Sequence, residues 1–313
     1  MKLLLPDSFP LSLDLPDGVE TVTYAVRDPL PPEHHDAEGI VLWSLSPRWL
    51  ARSAQELTSL RWAQTLTAGT DQIEAAGFAD DVVLTSGNGL HDGPVAEHAL
   101  ALILAAARRL DVAVDARREH RWARELGVNQ PRDNAERFTL VGGARVVIWG
   151  FGGIGQRLAG HLSALGAEVT GVAQRAGERA GFPVVTADAL PEVLADADVL
   201  VNILPATSAT AEVVDAATLA LLPRKAWFVN VGRGATVDEA ALRTALWDGV
   251  IAGAALDVMA TEPLPTDDPL WDTPNVILTP HSAGGRPLGA EELVESNVAA
   301  LLAGEELRNV VTL

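Results

Sequence analysis

Residues 146–155 read Val-Val-Ile-Trp-Gly-Phe-Gly-Gly-Ile-Gly. The first four form a short apolar run of the kind that makes a buried strand. Gly150, Gly152 and Gly155 follow at the spacing G-x-G-x-x-G, and 156–165 has helical periodicity, with Leu158, Leu162 and Leu165 on one face. Strand, glycine turn and helix in that order lift the motif above a chance match. Gly150 permits the tight turn, Gly152 lets a pyrophosphate approach the backbone, and Gly155 lets the helix pack closely on the strand. Gly153 and Ile154 sit in the same turn, where a helix start offers N–H groups and a positive dipole end to phosphate. The stretch points to a dinucleotide.

The chain on either side agrees with that reading. Downstream, strands are expected at 146–149, 167–173, 198–204, 226–231, 251–257 and 275–279. Helices are expected between them at 154–165, 188–195, 215–222 and 238–248, which is the βαβ progression of a doubly wound sheet. Pro287 breaks the series, and 289–303 reads as a final helix. Upstream, 2–5, 20–26, 40–43, 60–66 and 82–85 read as strands, with a helix over 49–59. Strands alternating with helices imply a second parallel sheet covered on both faces. The segment 96–110, rich in Ala and Leu, is the strongest helix and is apolar nearly all round. Such a helix must be buried on more than one side. The charged stretch 115–137, carrying Trp122, reads as a helix end and an arm over a surface. The expected fold class is α/β, with two doubly wound parallel-sheet domains.

Composition narrows the function classes. At 313 residues the chain is long enough for two ordinary domains. Its formal charge of −19 opposes nucleic acid and anionic membrane as partners, since both need clustered basic residues. No cysteine is present, so disulfides and thiolate metal sites are excluded, and no metal site is expected. Residues 1–10 lack a basic segment followed by an apolar core, and 99–107 is too short to span a bilayer. The expectation is a cytoplasmic protein.

Four stretches together resemble one family: Pro94-Val95-Ala96-Glu97-His98, the glycine turn, Asn230-Val231-Gly232-Arg233-Gly234, and Glu262-Pro263-Leu264-Pro265 with Pro280-His281-Ser282. They are similar to the signatures of the D-isomer-specific 2-hydroxyacid dehydrogenases, in the family's order and over essentially the whole chain. The resemblance implies a flavodoxin-like substrate domain, 1–94 with 288–313, and a Rossmann cofactor domain, 95–287. It also implies a cleft between them and a homodimer built on the 96–110 helix, whose excess apolar surface gives an independent motive.

Reduction of a 2-oxo acid needs a hydride, a proton for the carbonyl oxygen, and a cation for the carboxylate. The cofactor supplies the hydride. Arg233 sits in a turn just after an apolar strand, where an open sheet places its ligand, and its planar fork suits a carboxylate. Histidine is the usual proton donor near neutrality, and His281 follows a strand run. By resemblance, Arg233, Glu262 and His281 form the catalytic set, with Glu262 as the carboxylate partner of His281. The resemblance further implies that Ala68 and Gly69 offer backbone N–H groups to the substrate carboxylate. It implies that Asp257 meets the nicotinamide amide, Thr210 the pyrophosphate side and the backbone near Val231 the nicotinamide ribose. Leu204, Pro205 and His281 complete the cofactor set. His98, on the apolar helix, reads as a satisfied packing histidine.

An NAD-preferring fold needs an acid at the end of the second strand. Here 168–173 is followed by Gln174 and Arg175, with Glu178 beyond. An arginine there suits a 2′-phosphate, so NADP(H) is favoured, with NAD(H) left open through Glu178. Phosphoglycerate-specific relatives carry an arginine in the stretch that here reads Leu42-Trp43-Ser44. Trp43 cannot bind a phosphate, so a small unphosphorylated 2-oxo or 2-hydroxy acid is expected, with Trp43 against its side chain. The alternative is a non-catalytic NAD(P)-sensing, corepressor-like protein, since the family contains such members.

Overall fold

The computed structural model describes residues 1–127 and 133–311, and these divide into two compact units. One is Met1–His91 with Gly284–Leu313, and the other is Asp92–Ala283. The joints thus fall at 91/92 and 283/284, where the sequence reading put them at 94/95 and 287/288.

The first unit is a five-stranded parallel sheet in the order β2-β1-β3-β4-β5, from β1 (Lys2–Pro6), β2 (Glu20–Tyr24), β3 (Gly39–Leu42), β4 (Trp62–Thr65) and β5 (Val83–Thr85). Successive side chains of a strand point to opposite faces, and both faces here are covered. Leu4, Ile40 and Leu42 pack on one side with Leu50 of α1 (Pro47–Glu56). Leu3 and Val41 pack on the other with Leu293, Val294 and Val298 of the helix Ala290–Ala303. This is why the strands read as continuous apolar runs. Ser46 caps α1 by accepting from the Trp49 amide, with Pro47 at the first helical position. A single-turn helix, α2 (Asp71–Glu74), follows β4.

The second unit holds an eight-stranded sheet in the order β13-β12-β11-β10-β6-β7-β9-β8. Its strands are β6 (Arg145–Trp149), β7 (Glu168–Val172), β8 (Gly177–Arg179), β9 (Phe182–Val185), β10 (Val199–Asn202), β11 (Trp227–Asn230), β12 (Gly253–Leu256) and β13 (Val276–Leu278). All neighbours are parallel except β8 and β9. The order reverses between β6 and β10, the switch point at which an open α/β sheet takes its ligand. On one face α3 (Asp92–Arg108) and α5 (Gly153–Ala164) bury Val146 and Ile148. On the other, α6 (Leu190–Leu194), α7 (Ala216–Ala220) and α8 (Glu239–Trp247) bury Val147 and Trp149.

One expectation is corrected, and one element carries no sequence signal. The helix expected over 96–110 begins at Asp92 and stops at Arg108. Arg109 adopts a left-handed conformation (φ 50°), and α4 (Leu110–Arg118) starts anew. The break is held by side chains, because the Arg109 guanidinium donates to Asp111 at 3.0 Å and to Asn275 at 2.8 Å. The hairpin β8–β9 was not anticipated at all. The arm expected over 115–137 includes 128–132, which lie outside the described residues. Among the described residues, no helix is long and apolar enough to cross a membrane.

Candidate functional site

The glycine turn leaves β6 through Gly150, whose φ of +104° is open only to glycine. A Cβ there would stand 2.7 Å from the Ile203 carbonyl oxygen, so the turn also lies against the backbone that follows β10. Gly152 is the N-cap of α5 and offers no side-chain acceptor to the first amides. A Cβ on Gly152 would meet nothing within 4 Å, so the helix start is open on that side. Gly152 and Gly153 are exposed and Ile154 is half-buried. Phe151, the bulky residue of the turn, points inward. It is 1% exposed and meets Phe182 edge-on at 6.3 Å, leaving the open side clear. The Asp92 carboxylate stands beside Gly153, where an acid complements the helix dipole. The glycine turn at this helix start fits a pyrophosphate on its open Gly152 side, with the Asp92 carboxylate occupying the space beside Gly153.

No acid ends β7. Ala173, Gln174 and Arg175 follow it, and Arg175 and Glu178 are exposed. Arg179, on β8, donates to the Phe151 carbonyl at 3.2 Å and to the Arg175 carbonyl at 3.1 Å. It therefore ties the glycine turn to the turn that carries Arg175. The sequence does not single out Arg179. Its only signal was a second arginine four positions after the first.

Arg233 is placed by its two glycines. A Cβ on Gly232 would lie 2.7 Å from the Leu204 carbonyl oxygen, and one on Gly234 would overlap the Met259 backbone. The turn is thus pressed between the segments that follow β10 and β12. Buried Asn230 holds it from below, with its amide nitrogen donating to the Arg233 carbonyl at 3.2 Å and its oxygen accepting from the Gly232 amide at 3.1 Å. Asn202 donates to both Asn230 and Thr236, and Thr236 donates to the Arg233 carbonyl at 2.6 Å. The Arg233 guanidinium donates to the Gly232 carbonyl at 2.8 Å.

His281 and Glu262 are brought together. Nδ1 of His281 lies 2.6 Å from Oε2 of Glu262, while Oε1 accepts from the Met259 amide at 2.9 Å. One Met259 segment therefore contacts both Gly234 and Glu262. The two side chains retain 48% and 31% of their exposure, so a ligand has access to them.

Asp257 follows β12 and is fully buried. Its Oδ1 accepts from the Thr279 hydroxyl at 2.6 Å and from the Ser282 amide at 2.9 Å, and Oδ2 accepts from the Ala283 amide at 3.1 Å. Its main-chain carbonyl accepts from the His281 amide at 2.7 Å. Burial alone would raise this carboxyl. Hydrogen bonds from His98, Thr279 and the Ser282 and Ala283 amides prevail and hold it well below the usual carboxylate range.

Leu204 and Pro205 lie in the loop after β10, where the Thr210 hydroxyl donates to the Pro205 carbonyl at 2.6 Å. Val231 is buried, and its amide donates to the Asn202 carbonyl at 3.1 Å.

In the first unit, Ala68 is exposed and Gly69 half-buried in the loop after β4. The Thr67 hydroxyl donates to the Gly69 carbonyl at 2.9 Å. His91 Nε2, facing the Leu66 carbonyl at 2.7 Å, must be the donor there, and its ring stacks on Trp43 at 5.7 Å and 12°. Trp43 is thereby connected to the start of the Ala68–Gly69 loop.

Comparison with known proteins adds to this geometry. Residues 100–283 match the family described as D-isomer specific 2-hydroxyacid dehydrogenase, NAD binding domain. The glyoxylate/hydroxypyruvate reductase B of Serratia proteamaculans is 31% identical over 91% of this chain and 89% of its own length. The D-3-phosphoglycerate dehydrogenase of Mycobacterium bovis is 34% identical over 78% of this chain, but the match spans only 45% of that enzyme. A D-isomer specific 2-hydroxyacid dehydrogenase from Xanthobacter autotrophicus, solved with NADPH and MES, superposes with a TM-score of 0.77. It is 31% identical, with 99% of this chain and 97% of that one covered.

Proposed function

Since this chain belongs to the D-isomer specific 2-hydroxyacid dehydrogenase family, we propose that it reduces a small, unphosphorylated 2-oxo acid to the D-2-hydroxy acid, with NADPH preferred over NADH. The observation that carries this reading is the 2.6 Å pair of His281 and Glu262, accessible and anchored to the Met259 segment against which the Arg233 turn is pressed. A carboxylate accepts, so Nδ1 is the donating nitrogen and Nε2 is the pole that gives a proton to the carbonyl oxygen. Glu262 fixes the ring orientation. Arg233 binds the carboxylate and the reacting carbonyl. When bound, the reduced nicotinamide supplies the hydride to the carbonyl carbon.

Gly150, Gly152, Gly153, Ile154 and Gly155 hold the pyrophosphate, with Leu204, Pro205, Thr210 and Val231 along the rest of the cofactor. Arg175 reads the 2′-phosphate, a choice supported by the missing acid after β7 and by an NADPH complex of a relative. Met1–His91 with the C-terminal segment is the substrate unit, and Ala68 and Gly69 present amides to the carboxylate. Trp43 contacts the substrate side chain, and its replacement of a phosphate-binding arginine favours glyoxylate, hydroxypyruvate or a longer 2-oxo acid over 3-phosphoglycerate.

Mixing the protein with NADPH and each acid, and following the nicotinamide absorbance, tests the reading. Oxidation with any one of them supports it. Tight NADPH binding with no turnover on any acid would favour the sensing protein instead. A homodimer on α3 belongs to the same proposal. Leu104, Leu110, Val114 and Trp122 are exposed on or just beyond α3 and α4, and light scattering of Leu104→Glu reads the association directly.

A further inference from the structure

We infer that Glu239 is a positioning residue for the proton-donating pair: from the start of α8 its carboxylate holds the Ala260 amide, and so sets where Glu262, and through it His281, stands relative to the Arg233 turn. The inference rests on the proposed roles of His281 and Arg233 and deepens them.

The segment that carries Glu262 needs an anchor. It follows β12 outside any helix or strand, and Ala260, Thr261 and Glu262 are exposed. Two consecutive amides in it donate to carboxylates. Met259 donates to Oε1 of Glu262 at 2.9 Å, and Ala260 donates to Oε1 of Glu239 at 2.7 Å. The first bond spans three residues and only folds the segment on itself. The second spans 21 and joins the segment to a helix. A charged acceptor makes such a bond stronger than a neutral one.

The helix offers a fixed point close to Arg233. Glu239 is the first residue of α8, and an acid in that turn suits the helix dipole. Asp238 is the N-cap and accepts from the Ala241 amide at 2.9 Å, so the cap serves the helix while Glu239 serves another segment. Residues 234–238 link Arg233 to Glu239. That link is pinned to the core: the Val214 amide donates to the Thr236 carbonyl at 3.0 Å, and the Asp238 amide to the Val214 carbonyl at 3.1 Å. Gly234, at the head of the link, is pressed on the Met259–Ala260 peptide so closely that a Cβ would overlap it. The same peptide is therefore met by Gly234 beside Arg233 and by Glu239 at the start of α8. It is the joint between the carboxylate-binding turn and the proton donor, and Glu239 is the bond that closes it.

The test uses Glu239→Ala, Glu239→Asp and Glu239→Gln in the full chain, with Asp238→Ala as a control for the helix alone. Glutamine keeps an acceptor oxygen at the same reach, whereas aspartate keeps the charge but is one methylene short. The readouts are amide hydrogen exchange of 258–262 in the cofactor-free protein, NADPH affinity by nicotinamide fluorescence, and kcat and KM with glyoxylate or the best acid found. Glu239→Ala should exchange about tenfold faster in the segment and lose about tenfold in kcat, since small displacements of a reacting group are costly. NADPH affinity should stay within about twofold, because none of these bonds involves the glycine turn. Glu239→Gln should recover most of both losses. Glu239→Asp should follow the alanine variant, and it carries the test alone if that variant does not fold. Asp238→Ala should lower the melting temperature through its lost cap and keep kcat.

Unchanged exchange and kcat in Glu239→Ala would overturn the inference. So would a glutamine variant as impaired as the alanine one, which would assign the effect to charge. A matching loss of kcat in Asp238→Ala would assign it to helix stability, with the same result. If the wild-type protein turns over no acid, the proposed reaction fails, and exchange alone then decides about Glu239. Faster exchange in alanine that glutamine restores sustains the anchor, and no contrast between the two removes it.

Discussion

Nδ1 of His281 and Oε2 of Glu262 stand 2.6 Å apart, which leaves the opposite ring nitrogen as the only one able to serve a ligand. His281→Gln removes that nitrogen while keeping a polar side chain. We expect kcat on the best 2-oxo acid to fall by about 10²-fold or more, with NADPH affinity largely kept. Steady-state rates beside a fluorescence titration check this, and near-normal turnover would remove His281 from the role of acid.

The cofactor side separates charge from architecture. Arg175 is exposed in the turn after β7, so Arg175→Ala should weaken NADPH and leave NADH nearly unchanged. Arg179 is bonded to the Phe151 and Arg175 carbonyls, so Arg179→Met should loosen the glycine turn and weaken both cofactors. Parallel titrations with NADPH and NADH decide the matter. Equal losses in the Arg175 variant would reject it as the reader of the 2′-phosphate.

Much of this was legible in the sequence, and the parts that were not have a common cause. Strands buried on both faces, such as β6 with Val146 and Ile148 on one side and Val147 and Trp149 on the other, announce themselves as continuous apolar runs. The glycine turn and the Gly-Arg-Gly turn stand out because backbone approaches there exclude a Cβ. The β8–β9 hairpin carries no such mark. Gly177–Arg179 has no apolar alternation, and its turn places Ala180 and Gly181 at φ 52° and 82°, where alanine is an unexpected occupant. Nor does residue type reveal the break at Arg109, whose side chain is held by Asp111 and by Asn275, the latter far along the chain. His98 reads as a satisfied packing histidine, and it is indeed hydrogen-bonded, but its partners Thr279 and Asp257 are remote in sequence and residue type does not name them.

The proposed contact of Trp43 with the substrate side chain makes a prediction about which acid is accepted. Its indole lies parallel to the His91 ring at 5.7 Å and meets Phe9 edge-on at 6.2 Å, so it is held as a rigid apolar plate. Trp43→Ala should raise KM for 2-oxo acids with branched or long apolar side chains by roughly tenfold, in line with about 1–3 kcal/mol for lost apolar contact. Glyoxylate, which has no side chain, should be affected little. A KM series over chain length makes the comparison, and a uniform rise across all acids would mean that Trp43 supports the loop without touching the side chain.

Gly150 and Gly152 provide a contrast between folding and binding within one turn. Gly150→Ala would put a side chain at φ +104° and its Cβ 2.7 Å from the Ile203 carbonyl oxygen and 3.2 Å from the Leu204 nitrogen. Those neighbours are backbone emerging from β10 and have no room to yield. The strain alone costs about 1–3 kcal/mol, and a loss of that order lowers the melting temperature of a unit this size by several degrees. Gly152→Ala meets no neighbour within 4 Å and sits at φ −88°, which any residue adopts, so the melting temperature should hardly move. Its Cβ does enter the space through which a pyrophosphate approaches α5, and NADPH affinity should drop by tenfold or more, roughly 1.4 kcal/mol. Thermal unfolding and cofactor titration of both variants separate the two effects. A Gly152→Ala protein that binds NADPH normally would mean that the phosphates do not pass over this turn.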